Sequence, residues 1–207
     1  MDLRERILKT AEELFAKFGI RSVTMDELAS ELGISKKTIY QHFKDKDEIV
    51  QEVASNRMNC DHSESENIRK ISRNPIDEVL KELEMFRNHA ASLNPVLIYD
   101  LKKYHPNTWQ LFQKHKQTVL YGIIRRNLEE GIVQDLYRND INVEVLSKLR
   151  LQEIDIMFDQ DVFPYEKFNQ FDVQMIFADH FLRGIMTEKG REIYENYIQE
   201  NLNRIEK

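Results

Sequence analysis

Residues 24–46 read T-M-D-E-L-A-S-E-L-G-I-S-K-K-T-I-Y-Q-H-F-K-D-K, from Thr24 to Lys46, and their periodicity describes two short helices around a tight turn. Thr24 and Glu27 have the spacing of a capping box, in which a hydroxyl serves one orphan amide and a carboxylate reaches back to another. Leu28, Ala29 and Leu32 follow at helical spacing. Gly33 can take the left-handed conformation that ends a helix and turns the chain. Ile34 plugs the turn, and Ser35 is placed to cap the second helix. In that helix Ile39 and Phe43, four apart, point inward. Lys37, Gln41 and Lys44 then point outward, flanked by Lys36, Thr38 and Tyr40. With His42 they give a short helix that shows water only lysine, glutamine, threonine, tyrosine and histidine. Lysines neutralise phosphates, and glutamine and lysine also read base edges. The stretch is a helix-turn-helix suited to a DNA groove.

Its neighbours strengthen that reading. Upstream runs R-I-L-K-T-A-E-E-L-F-A-K-F-G, with Ile7, Ala11, Leu14, Phe15 and Phe18 expected on one face and Gly19 as a stop. Downstream, Asp45 and Glu48 have the spacing of a second capping box that opens another helix. Three motifs, A-x-x-L-F-x-x-F-G, T-x-x-x-L-A-x-x-L-G-I-S and T-I-Y-x-H-F-x-x-K, carry a close resemblance between Ile7–Val50 and the DNA-binding domain of the TetR family of bacterial transcriptional regulators. Beyond residue 50 the resemblance is one of length and helical layout, and the family often has glycine where this chain has Lys37. The resemblance implies that Thr24, Tyr40 and Lys46 contact the phosphate backbone. It also implies that Lys36, Lys37, Thr38 and Gln41 approach bases.

The 207 residues contain only six glycines and four prolines, and strong helix formers dominate, so an all-α fold is expected. The expected division is a helix-turn-helix domain over 1–46 and a larger helical regulatory and dimerisation domain over 47–207. Formal charge is −6, yet Gly33–Lys46 carries four lysines against one aspartate. An acidic body with a basic foot disfavours wrong orientations on DNA. One cysteine, Cys60, excludes an intramolecular disulfide and fits a reducing compartment. No signal-like or membrane-spanning apolar run occurs, so a soluble cytoplasmic protein is expected.

Prolines punctuate the rest. Asn74-Pro75 and Asn94-Pro95 each read as a cap followed by proline at the first helical position. A long helix is expected from Lys46 to about Ser72, with others over Pro75–Ser92, Pro95–Tyr104 and Pro106–Glu130, the last stopped by Gly131. Asn142 is expected to cap a helix reaching about Phe158, Asp172 one through Ile185, and Thr187 starts the last. The chain therefore runs without a flexible linker from the third helix into the fourth. Residues 59–74 are polar and bury little; Cys60, His62 and Glu64 do not converge as metal ligands at that spacing.

Between residues 85 and 121 aromatic side chains gather with a few polar groups. Phe86, Tyr99, Trp109, Phe112 and Tyr121 are candidate walls of a ligand cavity, with Asp100 or His105 as a polar anchor; ordinary helical core is the competing account. Val143, Leu146, Leu149, Ile154 and Met157 make one apolar face, and Val173, Ile176, Phe177, Phe181, Leu182 and Ile185 another. The resemblance implies that such late helices form a four-helix dimer interface, although the same faces also serve to close a monomer core. No phosphate loop, nucleophile elbow or metal-binding histidine spacing occurs, and neither a cofactor nor a metal is expected. The sequence thus points to a homodimeric DNA-binding regulator, most readily a repressor of a palindromic double-stranded operator released by a small-molecule effector. An architectural factor whose body binds a partner protein is the alternative.

Overall fold

Capping chemistry sets the ends of the first helices in the computed structural model, which describes residues 1–90, 94 and 96–205. Helix α1, Leu3–Phe18, opens with a reciprocal box that the sequence reading did not assign. Asp2 accepts the Glu5 amide at 2.8 Å, and Glu5 accepts the Asp2 amide at 3.0 Å. Helix α2, Met25–Leu32, has the expected Thr24–Glu27 box, at 3.2 and 2.7 Å. Gly33 ends α2 at φ +67°, a backbone conformation that a Cβ would strain. Ser35 caps α3, Lys36–Ile39, by accepting the Thr38 amide at 3.1 Å. Helix α4, Lys46–Ile71, begins beside Asp45, which accepts the Glu48 amide at 2.9 Å. The Glu48 carboxylate reaches one residue further back than a standard box, to the Lys44 amide at 2.5 Å.

Two compact units make up the chain, residues 1–63 with 89–115 and residues 64–88 with 116–207. The first is larger than the 1–46 segment marked off in the sequence. Its core is Ile7, Ala11, Phe15, Ile20, Val23, Leu28, Ile39, Phe43, Ile49 and Val50, joined by Leu101, with Leu97 and Trp109 packed on its edge. The last three belong to helices α6, Val96–Tyr104, and α7, Pro106–His115. Phe18 is not part of this core. It is 48% exposed, whereas Ile20 two residues on is buried in the core.

The second unit is closed by Ile76, Leu128, Leu136, Tyr137, Leu182, Ile185, Met186, Tyr194 and Tyr197. Ile76 comes from α5, Pro75–Ala90, where Asn74 accepts the Ile76 and Asp77 amides as expected. Asn94 likewise accepts the Val96 amide at 3.0 Å. Pro95 and the expected end of the preceding helix at Ser92 lie outside the described residues. The long helix expected from Pro106 is three pieces: α7, a π-helical turn over Lys116–Leu120, and α8, Tyr121–Val133. The wide turn carries Lys116, a fully buried lysine whose ammonium is paired with Asp155.

Gly131 does not stop α8. The helix continues to Val133, and the Tyr137 ring lies where a Cβ on Gly131 would stand, 2.0 Å away. Close packing, rather than a cap, is what that glycine permits. Asn142 caps α9, Val143–Met157, and Thr187 accepts the Gly190 amide at the start of α11, Glu188–Ile205. Helix α10, Gln170–Ile185, starts earlier than expected because Asn169, not Asp172, is its cap. Among the described residues no helix is long and apolar enough to cross a membrane.

Candidate nucleic-acid interface

Helix α3 is a single turn whose hydrogen bonding tightens as it ends. Tyr40 N–H reaches Lys36 O, after which Gln41 and His42 bond three residues back, to Thr38 O and Ile39 O. That tightening keeps Ile39 and Phe43 fully inside while leaving Lys36, Lys37, Tyr40, Gln41, His42 and Lys44 exposed and Thr38 half-buried. Thr38 shares a 2.7 Å hydrogen bond with the Ser35 hydroxyl. Lys36 is paired across the turn with Asp26 of α2 at 2.9 Å, which holds its ammonium above the usual lysine value. Both partners are solvated, so the pair is weak and exchanges readily. Among the described residues Lys37 and Lys44 enter no ion pair. Thr24 is exposed at the mouth of α2, its hydroxyl and amide already engaged by Glu27.

The turn that delivers the chain into α2 is gripped from two sides. Lys46, at the start of α4, donates to the carbonyls of Ile20 and Val23 at 2.5 Å each and lies 5.8 Å from the Phe15 ring. Burial pulls its ammonium below the usual lysine value, offset by the nearby carboxylates of Asp100, Asp47 and Glu27. Asp100 of α6, 3% exposed, accepts the Arg21 amide at 2.8 Å. The Arg21 guanidinium bonds the Tyr104 hydroxyl at 2.9 Å. One helix end further on, the buried His105 ring meets Asp47 of α4 at 2.8 Å. Asp26, Arg21 and Asp47 were not singled out in the sequence, since each acts through a partner 10 to 79 residues away.

The residues picked out as ligand contacts are distributed accordingly. Asp100 is hydrogen-bonded to the Arg21 amide in the α1–α2 turn, and His105 to Asp47 of α4. Tyr99 is 43% exposed, and its hydroxyl accepts from Lys103 at 2.6 Å. Trp109 and Phe112 stack at 5.4 Å on α7. Phe86 and Tyr121 belong to the second unit, both half-buried. Tyr121 borders an open groove of about 340 Å³ with Arg125, Glu129, Val143 and Glu144.

Residues 7–53 match the family described as bacterial regulatory proteins, tetR family. The HTH-type transcriptional regulator YerO of Bacillus subtilis is 38% identical over 117 residues; the match spans 54% of this chain and 40% of that protein's length. YvaF, an HTH-type regulator of the same organism, is 26% identical over 189 residues, covering 89% of this chain and 96% of its own. A regulator from Saccharomonospora viridis, solved in complex with choline, superposes with a TM-score of 0.73 at 20% identity, over 89% of this chain and 98% of its own. The matched segment runs from within α1 through α2 and the exposed turn of α3 into α4: residues 7–53 carry the helix-turn-helix of the tetR-family regulators, and the chain is similar to HTH-type transcriptional regulators.

Proposed function

We propose that the protein is a repressor that binds a palindromic operator as a homodimer and releases it when the body takes up a small molecule. The observation that carries the DNA part is the solvated turn Lys36–Lys44, which presents two unpaired lysines beside Tyr40 and Gln41 on a fully packed support. Lys37, Thr38 and Gln41 approach base edges, with Lys36 exchanging Asp26 for DNA. Thr24, Tyr40 and His42 flank the phosphates. Lys46 has two of its three protons on carbonyls, so it positions the turn and offers phosphate only the third.

Dimerisation is favoured by an apolar face that the monomer leaves in water. Val145, Leu149 and Ile156 of α9 are 59, 48 and 41% exposed, and Ile176 of α10 is 67% exposed. Their neighbours Leu151, Met157, Val173 and Leu182 are buried and close the unit's own core, so the two roles divide residue by residue. Covering each exposed side chain contributes about 1 kcal/mol. A dimer also places two α3 turns for half-sites about 34 Å apart, which a monomer cannot read.

Effector release works through the grip on the α1–α2 turn. Asp100 and His105 tie α6 to Arg21 and Asp47, so a ligand that favours a shifted α6 disfavours the DNA-binding arrangement by its differential affinity. The Trp109–Phe112 pair lies on the adjoining helix and supplies an aromatic wall. Choline, bound by the Saccharomonospora regulator, is a reasonable first probe. The test is operator binding by gel shift on genomic fragments, repeated with candidate effectors, alongside light scattering for mass. Monomers with full operator affinity would overturn the dimer, and an operator complex indifferent to a broad metabolite set would overturn the sensor.

A further inference from the structure

Six buried side-chain polar atoms among the described residues lack any hydrogen-bond partner, and four of them come from the short stretch 160–174. They are Gln160 Nε2, Tyr165 Oη, Gln170 Nε2 and Gln174 Oε1. A buried unsatisfied group is costly and rare, so four in one place require an account.

The backbone brings them to one surface. Gln170, Gln174 and Phe177 recur every three or four residues and so form one stripe of α10. The α9–α10 connection lies over that stripe, because Phe163 meets Phe177 edge-on at 5.7 Å and Phe168 at 5.3 Å. Gln160 is pinned on the connection by its carbonyl, which accepts the Tyr165 amide at 3.2 Å and leaves its NH₂ group free. The charges of the same stretch all face water: Asp159, Asp161, Glu166, Lys167 and Asp172 are exposed. Two amide donors, one amide acceptor and a phenol are therefore inaccessible on a stretch that also carries Phe163, Phe168 and Phe177, while its own charged side chains are exposed.

We propose that the α9–α10 connection and the first two turns of α10 form a binding site for a neutral small molecule with a carbonyl-type acceptor and an N–H or O–H donor on an apolar or aromatic body. The acceptor takes the Gln160 and Gln170 amides, the donor serves Gln174 Oε1, and the body packs on Phe163 and Phe177. Burial pushes the Tyr165 phenol up to about 12, so it remains an O–H donor throughout the physiological range. The site is additional to the Trp109–Phe112 wall, and only its regulatory meaning rests on the sensor reading.

Benzamide, benzoate and benzamidinium share one shape and differ in charge and hydrogen-bonding pattern, so they test the assignment directly. Benzamide at millimolar concentration is expected to raise the melting temperature of the full chain by about 3 °C, with neither ion doing so. Gln174→Leu and Gln170→Leu are expected to abolish the benzamide shift while leaving the unliganded melting temperature equal or higher, since each removes an orphaned polar atom. Tyr165→Phe is expected to weaken the shift. The proposal is overturned by no benzamide shift, by equal shifts from all three compounds, or by unliganded leucine variants that melt several degrees lower, which would mean the amides are held by structural water. Operator binding is read separately. Benzamide that binds at these residues without releasing DNA supports the site and counts against the sensor.

Discussion

Replacing Glu82 with glutamine isolates one buried charge of the second unit. Glu82 lies on α5, where Ser65 donates to Oε2 at 3.1 Å and Oε1 has no partner. Burial is the main influence on its carboxyl, and neighbouring Glu78 and Glu64 add to it. Arg126 offsets little, since its guanidinium is shared between Glu66 and Glu78 at 3.1 Å each. The result is a carboxyl pushed from its ordinary 4.5 up to about 7. Between those two values the folded state holds a proton that the unfolded chain has lost, so stability falls as pH rises through the window and the loss is complete above it. The ceiling on that loss is about 3 kcal/mol, at 1.36 kcal/mol per tenfold change in proton affinity. Glu82→Gln keeps the shape and the neutral form at every pH. It is expected to match the wild type at pH 5 and to exceed it by about 2–3 kcal/mol at pH 8, in urea unfolding followed by far-ultraviolet circular dichroism at one fixed protein concentration. A wild-type-to-variant difference that is the same at both pH values would refute the reasoning, because burial would then not be acting through the proton.

The remaining expectations concern the first unit and the assembly. Gln41→Ala is expected to relax preference at one operator position by about 1–3 kcal/mol, as read by titration across singly mutated sites; uniform weakening would remove Gln41 from base reading. Lys46→Ala is expected to weaken all operators alike and to lower the salt slope by about one. A slope that stays put would assign Lys46 to holding the turn alone. Asp100→Ala strips the Arg21 amide of its buried acceptor and is expected to destabilise the protein by about 1–3 kcal/mol, measured by chemical denaturation; a neutral result would show that the turn is held without α6. Leu149→Glu and Ile176→Glu change exposed positions, so folded monomers with weak operator binding are expected by light scattering and gel shift. Dimers of normal affinity in both variants would place the interface elsewhere.

How far the sequence reaches depends on the range of the interactions involved. The helix-turn-helix was legible because its determinants are local. A cap reads three residues ahead, a glycine decides its own φ, and an amphipathic stripe repeats every three or four positions. Thr24, Gly33, Ser35, Ile39 and Phe43 could therefore be assigned from spacing alone, as could the caps at Asn74 and Asn142. The same local logic misplaced two ends. Asn169 competed with Asp172 for the start of α10, and Gly131 resembled a stop when its missing side chain makes room for the Tyr137 ring. What only tertiary structure decided was the partner of each polar group. Asp100 and His105 looked like ligand anchors because a carboxylate and an imidazole among apolar residues need something to bind. That need is met by the Arg21 amide and by Asp47, 79 and 58 residues away. Lys46 counted as a free positive charge until two carbonyls claimed it. The four unpartnered groups of residues 160–174 likewise became visible only when enclosed. Hydrophobic period and capping are properties of a segment, whereas burial and hydrogen-bond satisfaction are properties of the packed chain.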